Sequence, residues 1–161
     1  VIPRHEIPRT ARARAFVSFA AGAGGRLLHL AALLTGETPG STPYARRLLT
    51  AALSRTYADW DALRGDDPYD RTRQDLVARY ARAAWHRRLG AARRAQDPGP
   101  LGPLTPHQRV AVVLRVYEGV PEEQAAALLG LPVERVRALT ARATVRLARP
   151  GGAPGAPEPS R

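Results

Sequence analysis

Apolar residues recur at spacings of three and four through most of the chain, and no stretch alternates apolar with polar as a half-buried strand would. The pattern predicts an all-α protein. A polar arm with two prolines is expected over residues 1–14. A first helix follows over about 15–34 and ends at Gly36; Gly22, Gly24 and Gly25 each weaken it by about 1 kcal/mol relative to alanine, so a kink or split is expected there. A second helix spans about Pro43 to Asp61, with Leu48, Leu49, Ala52, Leu53, Tyr57 and Trp60 as its apolar stripe. A third starts near Pro68 and runs toward Gln96, turning Leu76, Val77, Tyr80, Ala84 and Trp85 inward and most of its arginines outward.

The run Asp97-Pro98-Gly99-Pro100-Leu101-Gly102-Pro103 then interrupts any helix and predicts a linker over 97–103. Two small helical domains are expected, 15–96 and 104–149, with a disordered tail over 150–161. In Thr105-Pro106-His107-Gln108, threonine can cap the helix, proline presets its first turn and glutamine can bond back to the cap. That helix reaches about Tyr117 with Val110, Val113, Leu114 and Tyr117 inward, and Gly119 supplies the left-handed residue after it. Two more helices are expected over about 121–129 and 133–148, separated by a turn containing Gly130.

A short helix, a glycine turn and a second helix make either a helix-turn-helix or an ordinary α-hairpin with a solvated basic face. On the last helix Val136, Ala143 and Leu147 are expected inward, while Arg135, Leu139, Arg142 and Arg146 form an outer stripe with Arg137 beside it. Such a stripe suits phosphates and guanine edges.

Charge sharpens this reading. The 161 residues carry a formal net charge of +11, and the 25 basic residues are all arginine. An Arg-, Ala- and Pro-rich composition is also what a GC-rich genome produces, so the placement of charge matters more than its total. Between Arg71 and Arg94 eight arginines face one acid, Asp75. That concentration favours a polyanionic partner.

The segment Leu104 to Leu147 closely resembles region four of bacterial extracytoplasmic-function sigma factors, through Leu104, Gln108, Arg109, Leu114, Arg115, Tyr117, Glu118, Ala126, Leu129, Gly130, Val133, Val136, Arg142 and Leu147. The first half resembles region two of the same family, in a degenerate form of the variety common in actinobacteria. The likeness is carried by Leu33-Leu34-Thr35-Gly36, Ala52-Leu53, Tyr57-Ala58-Asp59-Trp60, Asp67-Pro68 and Trp85-His86-Arg87-Arg88. It implies a cytoplasmic transcription initiation protein that binds promoter DNA and core RNA polymerase, and is open to an anti-sigma or other regulatory partner. It makes Arg79, Arg82, Arg87 and Arg88 further candidate DNA contacts, and Tyr44, Arg46, Arg47 and Thr50 the candidate polymerase-docking surface.

Three departures from the family pattern stand out. Tyr44-Ala45-Arg46-Arg47 replaces an acidic patch that docks on a basic coiled coil of the polymerase, so the charge is reversed. The linker is short: from Gln96 to Leu104 an extended chain reaches roughly 30 Å, less than one DNA turn of about 34 Å. Ala78, Pro132 and Leu139 stand where polar DNA-facing residues are usual. The alternative is therefore a sigma-shaped regulator that binds a protein or DNA without conventional polymerase docking.

Other chemistry finds little footing. No cysteine is present, which excludes disulfides and thiolate metal sites and suits a reducing cytoplasm. The histidines His5, His29, His86 and His107 are scattered without metal-ligand spacing, and Gly22-Ala23-Gly24-Gly25-Arg26 lacks the strand and Lys-Ser/Thr ending of a phosphate loop. Asp59 and Asp61 flank a tryptophan and point apart on a helix. No enzyme, cofactor or metal is expected. Leu27 to Leu34 only faintly mimics a signal peptide and is too short to span a bilayer, so no membrane association is expected.

Overall fold

The computed structural model describes residues 6–86 and 99–149. Its elements are α1 (Glu6–Thr35), α2 (Pro43–Ala58), a short 3-10 turn (Trp60–Ala62), α3 (Pro68–His86), α4 (Pro106–Val112) continuing as a π turn (Val113–Tyr117), α5 (Glu122–Leu129) and α6 (Val133–Ala148). No strand occurs among the described residues; one isolated bridge joins Thr38 to Ser41.

The first helix differs from expectation in both extent and continuity. It already includes residues 6–14 and passes unbroken through Gly22, Gly24 and Gly25. A side chain at any of these glycines would meet nothing within 4 Å, so they serve no close approach. The helix survives them because Leu27, Leu30, Ala31 and Leu34, all buried, anchor it against α2, α3 and α4. By length and composition alone Arg9–Thr35 is long and apolar enough to cross a membrane, a test that core helices of soluble proteins also pass. In this fold 28% of its most apolar window is buried within the bundle.

Helix α2 begins at a carboxylate the local sequence does not announce. Glu37, from the preceding turn, accepts hydrogen bonds from the backbone N–H groups of Tyr44 at 2.9 Å and Ala45 at 2.8 Å. Two of the unpaired donors at the helix start are thereby satisfied by a negative charge placed where the helix dipole favours it. Leu48, Leu49 and Ala52 face the core, while Tyr57 is 39% exposed and stacks instead on Phe16. The helix stops at Ala58, short of the expected Asp61. A buried hydrogen bond of 2.8 Å between the hydroxyls of Thr56 and Thr72 ties α2 to α3.

The capping box at Thr105 forms as its sequence dictates: Thr105 Oγ1 accepts from the Gln108 N–H at 3.3 Å, and Gln108 Oε1 accepts from the Thr105 N–H at 3.1 Å. Immediately before it, the described part of the Pro/Gly run, residues 99–103, is folded back on α1. The Gly99 N–H donates to the Gly36 carbonyl at 2.9 Å, and Leu101 and Leu104 are buried. Arg109 then gathers the carbonyls of Leu101, Leu104, Gly102 and Leu34 at 3.0 to 3.4 Å. Gly36 is required there: its φ is +73°, and a Cβ would come within 2.9 Å of the Arg109 guanidinium.

One buried apolar cluster consequently runs through both halves, from Leu27, Leu48 and Leu76 to Leu101, Val113, Leu114 and Val136. Its polar counterpart is Glu118. The π turn closes with the Glu118 N–H on the Val113 carbonyl at 2.9 Å and delivers the Glu118 carboxylate, 0% exposed, onto the first half. There Tyr69 donates to Oε1 at 3.0 Å, Arg26 reaches Oε1 at 3.3 Å, and Arg73 reaches Oε2 at 3.0 Å. Burial, followed by its hydrogen bond to Glu118, pushes the Tyr69 phenol above its usual range. Trp85 on α3 meets His107 on α4 edge-on, with ring centroids 4.6 Å apart.

Candidate nucleic-acid interface

The turn between α5 and α6 is built by its glycine. Gly130 is left-handed (φ 63°); its N–H bonds to the Ala127 carbonyl at 3.3 Å, and the Leu131 N–H bonds to the Ala126 carbonyl at 3.0 Å. This pair of reversed bonds is the Schellman closure, which stops α5 and redirects the chain within three residues. Pro132 then starts α6 by accepting from the Arg135 N–H at 3.0 Å. Ala125 and Ala126 are buried, and α5 and α6 pack on each other and on the preceding helix.

Helix α6 is rotated relative to the expected stripe. Leu139, assigned outward with the arginines, is only 6% exposed and lies with Val136 and Ala143 on the buried face, at spacings of three and four. An apolar side chain at the margin of the stripe is drawn to the core, so Leu139 faces inward rather than outward as expected. Leu147, assigned inward, is 39% exposed because it lies one turn beyond Ala143, the last buried position. Tyr117 is likewise 36% exposed, resting against His29.

Arg135, Arg142 and Arg146 are exposed and make no ion pair among the described residues. Arg137 is different. Its Nη2 donates to Glu122 Oε2 at 2.8 Å, and Arg115 stands 3.8 Å from the other oxygen. The hydrogen bond from Arg137 holds the Glu122 carboxyl below its usual range, and Glu122 raises the Arg137 guanidinium in return. Sequence reasoning overlooked Glu122; an acid fifteen residues before an arginine on the next helix carries no local signal.

In the first half the basic concentration is partly spent internally. Arg73 is buried and pairs with Glu118 and Asp70, Arg71 approaches Asp59 at 3.5 Å, and Arg79 bonds Asp75 at 2.6 Å. Arg82 is exposed, and Arg87 and Arg88 lie outside the described residues. Arg79 and Arg82 share an open groove of about 500 Å³ between α2 and α3 with Tyr44, Arg47, Leu48, Ala51, Ala83 and His86. Two candidate surfaces expected separately thus meet in one groove, and no acid lines it among the described residues. Arg47 lies over the Tyr44 ring at 5.7 Å, Arg46 is exposed, and the Thr50 hydroxyl donates to the Arg46 carbonyl at 2.8 Å.

Among the described residues no group of three or more metal-ligating side chains converges.

Residues 101–147 match the family model "Sigma-70, region 4". No curated protein matches the chain. Among solved structures it is similar to the sigma factor RpoE from Bartonella quintana, crystallised with the anti-sigma factor NepR. The TM-score is 0.61 and the identity 21%, over 83% of this chain and 94% of that one. It is also similar to the anti-anti-sigma factor PhyR from the same organism, crystallised with NepR. That TM-score is 0.49 and the identity 20%, over 81% of this chain and 48% of the other. Residues 101–147 are thus similar to sigma-70 region 4, and the helical fold as a whole resembles that of the RpoE structure.

Proposed function

We propose that this chain is a cytoplasmic transcription initiation protein of the extracytoplasmic-function sigma type, which reads promoter DNA with α6 and associates with core RNA polymerase through its first half. The observation that carries the reading is the helix-turn-helix itself. A Schellman-closed turn at Gly130 presents a helix whose exposed Arg135, Arg142 and Arg146 have no ion pair among the described residues, within a segment matching sigma-70 region 4. The actinobacterial variety rests on the first-half resemblance. An anti-sigma partner is inferred because the Bartonella sigma factor was crystallised with one. Catalysis forms no part of this function, and neither does a cofactor.

Arg142→Ala is expected to weaken duplex binding by the full chain. A lost phosphate contact lowers the salt slope by about one on every sequence; a lost base contact costs about 1–3 kcal/mol on the preferred sequence only. Anisotropy titrations at several salt concentrations measure both. An Arg142→Ala protein with wild-type affinity and slope would remove α6 from the DNA.

A second reading is favoured by one observation: Tyr44 and Arg47 of the expected docking surface line a groove between α2 and α3 together with Arg79 and Arg82, with no acid among its described lining residues. In that reading the chain is a sigma-shaped regulator that binds DNA or a protein without conventional docking. Co-purification with core polymerase separates the two.

A further inference from the structure

We propose that Glu122 is a specificity-determining residue of the α6 interface: it occupies the Arg137 guanidinium and repels phosphate, so that arbitrary DNA is bound weakly. This rests on the reading of α6 as the DNA-contacting helix.

The geometry divides the basic face into two classes. Arg135, Arg142 and Arg146 are unpaired among the described residues and can meet any phosphate without giving anything up. Arg137 must first leave Glu122, which it bonds at 2.8 Å. Glu122 is fixed in place from several directions. It is the first residue of α5, where the helix dipole favours a carboxylate. Arg115 approaches its second oxygen at 3.8 Å, and Arg115 is itself tied to the Val120 carbonyl. Glu134 and Glu123 add to the negative field at Arg137.

That field discriminates by the charge of the incoming acceptor. A phosphate is anionic and feels the full repulsion of Glu122 as it approaches Arg137. The O6 and N7 acceptors of a guanine edge are neutral and do not, while still offering two hydrogen bonds to a guanidinium. An exposed ion pair is weak enough for such an edge to displace it. Glu122 therefore penalises backbone binding more than base reading, which raises specificity by a repulsive element rather than a new contact.

The test compares the wild-type chain with Glu122→Gln on two labelled duplexes of about 30 base pairs. One has random sequence; the other is enriched from a random pool by the wild type. Glu122→Gln should tighten binding to the random duplex about fivefold and steepen its salt slope by about one, as a freed guanidinium gains a phosphate. Binding to the enriched duplex should change less than about twofold, so the specificity ratio falls. Equal tightening on both duplexes overturns the proposal. So does unchanged or weakened binding to the random one, and weakening on both would mean that Glu122 aims Arg137 at DNA. Should Arg142→Ala weaken binding while Glu122→Gln leaves the ratio intact, the DNA-reading role of α6 stands and this inference falls. A wild type that binds neither duplex refutes both.

Discussion

Glu118→Gln is expected to destabilise the whole chain by about 3 kcal/mol, lowering its melting temperature by roughly 6–12 °C. The carboxylate is 0% exposed and its partner Arg73 only 9%, so the substitution leaves a buried guanidinium without its charge partner. Removing one member of a buried pair costs about 3–5 kcal/mol. The lower end applies because Arg73 keeps Asp70 at 3.0 Å. Arg26 also touches Glu118 but is 57% exposed, and Arg26→Ala should cost much less than Glu118→Gln. Replacing both buried partners, Arg73→Met with Glu118→Leu, should recover much of the loss, since the desolvation of two charges vanishes with them. Urea unfolding of the four proteins measures these differences. A loss below about 1 kcal/mol for Glu118→Gln would show that the buried pair contributes nothing net.

The second large effect concerns partner choice. Arg46→Glu combined with Arg47→Asp should tighten association with core RNA polymerase at least tenfold, because like-charge contacts at an interface cost several kcal/mol and opposite charges also speed encounter. Both residues are exposed at the start of α2, beside the groove with Arg79 and Arg82. The fold should tolerate the change. Glu37 already caps the helix start, so two further acids there shift stability by about 1 kcal/mol or less. Competition binding against a labelled sigma factor reads the affinity. Tight wild-type binding that the double substitution weakens would mean that these arginines meet an acidic surface.

The helices were legible because their signals are local. Apolar periodicity placed α2, α4, α5, α6 and the start of α3 to within a few residues, while the expected run of α3 toward Gln96 lies outside the described residues beyond His86; the Thr105 capping box formed as written, and Gly130 turned where a left-handed residue was needed. What escaped was non-local. The rotation of α6 that buries Leu139 depends on which neighbour it packs against. Arg73 reads as one more surface arginine until Glu118, 45 residues later, is placed beside it. Glu37 and Glu122 act on backbone or side chains outside their own helical turn, where no spacing rule reaches. In the candidate interface, the arginines of α6 could be enumerated from sequence, but which of them are already held could not.

The edge contact of Trp85 with His107 gives the molecule a built-in optical probe. The chain has two tryptophans. Trp60 sits with Phe16 and Phe19, at 5.4 and 5.6 Å, wholly within the first half. Trp85 alone bridges to the second. With Trp60→Phe, indole emission reports the junction directly, so any ligand that parts the two halves changes the spectrum without an attached dye. One that binds α6 and leaves the junction closed does not.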